Sequence, residues 1–203
     1  MKGVPKDYIP QKIIVNQASA DFTDYPDDDF VMTTQPAQDL GQTIDNVPDG
    51  WSECYISGYA KRQILSTPGF PQPIRRPLKK SYQIKEIPSK GLGIVATRDI
   101  LAGDLIFAER AIIIWPVQFR SRHPAHYTQE QAKQVGLFEK EKIMEVLFDR
   151  VDPKLQAAYK ALHNSHQFDG SGPLGGIGRT NGFAIELNDV GKLTFSDVLG
   201  LVD

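Results

Sequence analysis

Between Tyr82 and Trp115 the chain reads YQIKEIPSKGLGIVATRDILAGDLIFAERAIIIW, and its closely spaced glycines leave room only for short strands joined by tight turns. Ile84, Ile87, Ile94, Val95 and Ala96 are apolar and mostly β-prone. Lys90-Gly91-Leu92-Gly93 interrupts them with two residues that tolerate positive φ or let another group approach the backbone. A strand, a glycine turn and a second strand are therefore expected. Ile100, Leu105, Ile106 and Phe107 surround Ala102-Gly103-Asp104, whose Gly-Asp pair signals a reverse turn. Ile112-Ile113-Ile114-Trp115 is an apolar run of the buried-strand type. Three or four short strands fit the whole stretch.

A chain of 203 residues, 40% hydrophobic and 24% charged, can bury a core, while 17 glycines and 14 prolines imply many turns. One main domain smaller than the whole chain is expected. The net charge of -2 conceals a polarity. Residues 1–60 set Lys2, Lys6 and Lys12 against Asp7, Asp21, Asp24, Asp27, Asp28, Asp29, Asp39, Asp45, Asp49 and Glu53. Residues 61–90 set Lys61, Arg62, Arg75, Arg76, Lys79, Lys80, Lys85 and Lys90 against Glu86 alone. Cys54 is the single cysteine, which excludes an intrachain disulfide and a cysteine-rich zinc cluster. No segment is long and apolar enough to span a bilayer, and MKGVPKDYIPQKIIVNQ lacks the apolar core of a secretory signal. The expected location is intracellular, nucleus or cytoplasm.

Residues 1–75 show no sustained hydrophobic period and read as a mobile acidic arm that ends in the start of a basic linker. Such an arm is either a plain disordered tail or an acidic lure for basic partners such as histone tails. Arg75-Arg76 and Lys79-Lys80, set among Pro71, Pro73 and Pro77, are either a nuclear-import or nucleic-acid patch or an ordinary basic linker. Direct nucleic-acid binding is not the expected reading.

From Thr128 to Val151 the period becomes helical, with Val135, Phe138, Ile143, Val146 and Leu147 between charged residues and Thr128 at the start. Asp152 caps a second helix with Pro153 in its first turn, and Leu155, Ala158, Tyr159 and Leu162 recur before His163-Asn164. His123-x-x-His126 and His163-x-x-His166 have the spacing of a two-point metal grip, but neither has a cysteine or an evident third ligand. They read as solvated helix-end histidines. The glycine run from Gly170 to Gly178 lacks the Gly-Lys-Ser/Thr of a phosphate loop and reads as a flexible connector. Asn181, flanked by Ile177, Phe183 and Ile185, has the setting of a buried hydrogen-bonding side chain.

Two blocks resemble a known family. Lys-Gly-x-Gly, then Ala-Thr-Arg-Asp-Ile, Ala-Gly-Asp-Leu-Ile and Glu-Arg before an apolar run, resembles the opening of a SET domain, the catalytic module of lysine methyltransferases. Arg179-Thr180-Asn181-Gly182-Phe183 after the glycine run is similar to the segment that follows the insert in split SET domains, fungal ones especially. The likeness covers about residues 82–183. It implies an α+β fold, mainly short β-strands with a two-helix insert, forming an incomplete SET domain over 76–203. Its parts would be a strand block at 82–115, a helical insert at 116–175 and a second, truncated SET block at 176–203. It also implies S-adenosylmethionine as cofactor, contacted by Lys90, Gly91, Leu92 and Gly93 through their backbone and by the side chain of Asn181. The implied partner is a protein lysine substrate such as a histone tail. Glu109 reads as a solvated strand-end charge.

One departure from the family bears on activity. SET catalysis needs a downstream Asn-His-Ser-x-Cys-like segment and a later Tyr facing the lysine channel, and AIELNDVGKLTFSDVLGLVD contains neither. Methyl transfer is an in-line displacement by a neutral lysine amine, so it rests on donor and acceptor alignment in a dry channel. The resemblance therefore implies an amino-terminal part that is inactive alone, and no catalytic residue is assigned. The alternatives are a non-catalytic interaction module that recruits missing strands from a partner, and an unrelated β-rich binding domain.

Overall fold

A computed structural model describes residues 3–10, 16–117 and 123–184. It is a small α+β protein. The described elements are β1 (Asn16–Gln17), β2 (Phe30–Gln35), β3 (Ser52–Ser57), α1 (Gly58–Ser66), β4 (Tyr82–Ile87), β5 (Gly91–Ala96), β6 (Ile113–Ile114), α2 (Gln129–Phe148), α3 (Pro153–Lys160) and α4 (Pro173–Asn181).

The larger sheet has the order β1-β2-β3-β6. Its central pair, β2 and β3, is antiparallel, with Met32 opposite Tyr55 and Thr34 opposite Glu53. Short parallel strands flank the pair, β1 beside β2 and β6 beside β3. Because residues alternate across a strand, the face carrying Met32 and Tyr55 meets α2, α3 and α4. The other face carries Cys54 and Ile56, which pack on Ala60 and Ile64 of α1. Both faces are covered. That explains why FVMTTQ and SECYIS show no clean alternation: Thr33, Gln35, Ser52 and Glu53 are buried along with their apolar neighbours.

Most of these buried polar atoms are partnered, although Gln35 Oε1 accepts no hydrogen bond among the described residues. Ser52 Oγ donates to Ala111 O at 2.6 Å, and Gln35 Nε2 donates to Ala20 O at 2.8 Å. Glu53 accepts from Arg150 Nε at 2.8 Å and from Thr34 Oγ1 at 3.0 Å, which ties the end of α2 to the sheet. Burial pushes the Glu53 carboxyl up, against those hydrogen bonds.

The arm expected over 1–75 is corrected here, because β2, β3 and α1 all come from it and supply much of the core. Some of its acidic side chains are paired within the fold. Asp27 pairs with Arg62, Asp45 with Lys154 at 2.5 Å, and Asp49 with Arg76 at 2.9 Å. Asp7 lies against His126 at 3.4 Å.

The two expected helices are present as α2 and α3. Thr128 accepts from Gln131 N while the Gln131 side chain accepts from Thr128 N, a capping box, and Asp152 accepts from Lys154 N with Pro153 in the first turn. The glycine connector is the second correction, since residues 173–181 form helix α4. Glycine is costly in a helix by about 1 kcal/mol relative to alanine. Here the missing side chains allow close packing: a Cβ at Gly178 would lie 2.6 Å from Trp115, and one at Gly176 would lie 2.6 Å from Asn164. Tertiary contact overrides propensity.

Candidate functional site

The stretch at 82–115 forms one hairpin and one detached strand. β4 and β5 pair only with each other, in the register Ile84↔Ile94, Lys85↔Gly93, Glu86↔Leu92 and Ile87↔Gly91. Pro88-Ser89-Lys90 makes the turn, closed by Lys90 N donating to Ile87 O at 3.0 Å. Ser89 at φ 65° and Gly91 at φ 75° supply its left-handed residues, so Ser89 shares a task expected of glycine alone. Gly93 lies within the strand. A second turn places Asp104 N on Leu101 O at 3.0 Å with Gly103 at φ 89°. Ile113–Ile114 then joins the larger sheet beside β3.

Residues opposite each other in the ladder share a face. Gly91 and Gly93 therefore lie with Ile87 and Lys85 on one face, while Leu92 and Ile94 lie with Glu86 and Ile84 on the other. Nothing stands within 4 Å of a Cβ built on Gly91, whereas one on Gly93 would come within 2.8 Å of Ile87. The open backbone is thus at Gly91. Lys90 is exposed, and Leu92 is 78% exposed. Glu109, expected in solvent, is half-buried.

Asn181 is the last residue of α4. Its Nδ2 donates to His163 O and to Ile177 O, each at 2.8 Å. The side chain is half-buried and fastens the end of α4 to the chain leaving α3. Among the described residues no hydrogen bond joins Asn181 to the Lys90–Gly93 turn. Ile185, its expected neighbour, lies outside the described residues.

The densest polar chemistry surrounds α4, and the sequence reading missed it. Glu141 is buried on α2, and its carboxylate accepts from Leu174 N at 2.9 Å and Gly175 N at 2.6 Å. It thereby caps a helix whose own N-cap, Gly172, has no side chain to do so. Burial raises the Glu141 carboxyl, opposed by those two N–H groups. The signal was available: Glu141 lies seven residues after Gln134 and three before Met144 on the buried stripe, where a lone carboxylate demands partners.

Asp169 accepts from Arg179 at 2.7 Å, from Ser171 N at 3.0 Å and, at 2.9 Å, lies on His166 Nδ1. Burial raises its carboxyl, but Ser171, Arg179 and His166 together hold it well below the usual range. None of the four histidines is on a helix: His126 and His166 sit in turns, and His123 and His163 in irregular chain, next to α2 and α3. Among the described residues no group of three or more His, Cys, Asp or Glu side chains is placed to hold a metal ion.

Gly91 presents an open backbone strip, but no described side chain closes over it, and Asn181 has its amide protons committed to carbonyls. No described helix is long and apolar enough to cross a membrane. In comparisons with known proteins, no family model, no curated protein and no solved structure matches this chain.

Proposed function

We propose that the chain carries part of a SET-type, S-adenosylmethionine-dependent protein-lysine methyltransferase. The observation that carries the reading is the order of its two blocks, Lys90–Gly93 with its Gly-Asp turn, then Arg179–Phe183, separated by helices. The shape of the first block agrees with it, since Gly91 and Gly93 share one face and leave the backbone open at Gly91. A donor sulfonium would need further walls, because nothing stands within 4 Å of a Cβ built on Gly91. Purified as it stands, the chain is expected to show no rise in melting temperature with S-adenosylmethionine.

The decisive test reads the transcript from the source cells past the codon for Asp203. If it encodes an Asn-His-Ser-x-Cys segment and a later Tyr, the longer product should bind S-adenosylmethionine and transfer its methyl group to a histone substrate. Gly91→Asp should then abolish binding, and Asn181→Ala should weaken it. A longer product that folds but binds no cofactor would sink the proposal.

A second reading, a non-catalytic interaction module, is favoured by one observation. The outer edges of β4 and β5 are unpaired among the described residues, and Leu92 and Ile94 are exposed. A message without the two missing motifs would select it.

A further inference from the structure

The segment Pro73-Ile74-Arg75-Arg76-Pro77-Leu78-Lys79-Lys80 is mounted on the domain rather than built into it. Its near end is fastened by Ile74 N donating to Asp49 Oδ2 at 3.1 Å and by Arg76 donating to Pro48 O at 2.6 Å. Its far end is fastened at Ser81, fully buried, whose carbonyl accepts from Thr97 N at 2.8 Å. Between these anchors the chain has no helix or strand, and no backbone group of Arg75–Lys80 makes a hydrogen bond within the described residues. Pro73 and Pro77 restrict the backbone and bias Arg76 toward extended conformations.

The side chains face outward. Arg75, Lys79 and Lys80 are exposed and form no ion pair among the described residues, and Lys80 rests over the Tyr82 ring at 4.7 Å. Leu78, between the prolines and the lysines, is entirely exposed at 108%. The next basic pair upstream is withdrawn from any such surface, since Lys61 is buried on Ser19 O at 2.6 Å and Arg62 is held by Asp27. The accessible signal is therefore the short segment itself.

From this we infer that residues 73–80 form a recognition segment for a partner protein whose groove is lined with carboxylates, contains one apolar pocket, and reads an open backbone. This is the chemistry of nuclear-import recognition of Lys/Arg-rich segments. A carboxylate wall answers Arg75, Lys79 and Lys80. Free N–H and C=O groups along the segment offer the groove main-chain hydrogen bonds, and Leu78 fills the pocket. A nucleic-acid backbone fits less well, because it would set the exposed Leu78 against phosphates and leave the free backbone carbonyls facing anions. The inference stands apart from methyl transfer and uses none of the residues of that reading.

The test is nuclear uptake of the intact chain, fused to a fluorescent protein too large to enter by diffusion, in permeabilised cells supplied with cytosol and an energy source. Wild type should accumulate in nuclei, and an excess of the free peptide PIRRPLKKS should block it. The triple variant R75A/K79A/K80A should lower accumulation by about tenfold or more. Leu78→Ser should lower it severalfold with every cation retained. The charge-matched control K6A/K133A/K154A, altered on exposed lysines elsewhere, should accumulate like wild type. Absent accumulation, equal loss in the control, or retention that needs no energy and is released by nuclease would each overturn the inference. The last result would identify nucleic acid as the ligand instead. Thermal melts of each variant separate lost recognition from lost folding.

Discussion

Lys140 lies on α2 with its ammonium 4.0 Å from the centre of the Trp115 ring, the ring that a Cβ on Gly178 of α4 would meet at 2.6 Å. Burial, and secondarily the Arg179 charge, lower its pKa from the ordinary 10.5 to about 8. The indole face favours the ammonium and opposes that shift without cancelling burial. Between pH 8 and 10.5 the unfolded chain thus binds a proton that the folded chain has released, so stability from this group rises with pH across that window. Relative to Lys140→Met, wild type should gain melting temperature as pH rises from 8 to 10.5, and the difference should stay flat below pH 8. A difference between the two proteins that stays flat with pH would show that the amine titrates normally. Nothing in the spacing of Lys140 announced this, because the Trp115 ring comes from a segment remote in sequence.

Among the elements, α4 depends most on its neighbours. Proline at its start and an uncapped Gly172 leave its first N–H groups to the Glu141 carboxylate of α2. A Cβ at Gly172 would come within 2.1 Å of Glu141 Cδ. Gly172→Ala should therefore displace the carboxylate and leave both N–H donors and the acid unsatisfied, costing about 2–4 kcal/mol in urea denaturation. Retention of wild-type stability would mean that α4 is capped some other way. By contrast α2 and α3 were legible in the sequence, since Thr128, Gln131, Asp152 and Pro153 act on their own helix ends. Their signals are local. The glycines of α4 act across space, on Trp115, Tyr159 and Asn164, and a reading of propensity alone takes them for a connector.

At the scale of the whole molecule, order is distributed against expectation. The pair β2–β3 is covered on both faces, by α2 and by α1, and Met32 and Cys54 are fully buried. The hairpin β4–β5 stands as a two-stranded sheet with Leu92 and Ile94 in solvent, an arrangement of marginal stability by itself. Amide hydrogen exchange should accordingly find Val31–Gln35 and Glu53–Ile56 among the slowest exchanging positions and Gln83–Val95 many-fold faster. Equal protection of the two regions would mean that the hairpin is covered by something other than the described residues. The resemblance led toward the hairpin, whose glycines are distinctive, and away from β2–β3, whose polar side chains disguise a core position.

What the sequence by itself determined were the features written in adjacent residues: the glycine hairpin of β4 and β5, the Gly-Asp turn at Gly103, and the capped starts of α2 and α3. The tertiary structure alone decided that the acidic first third of the chain contributes the central sheet and that a glycine run becomes a helix. It also decided that Asn181 binds backbone carbonyls. The physical reason is common to all three. Burial of Glu53 with Arg150, capping of α4 by Glu141, and the close approach of Gly178 to Trp115 join groups far apart in the chain. Local propensity carries no record of such partners.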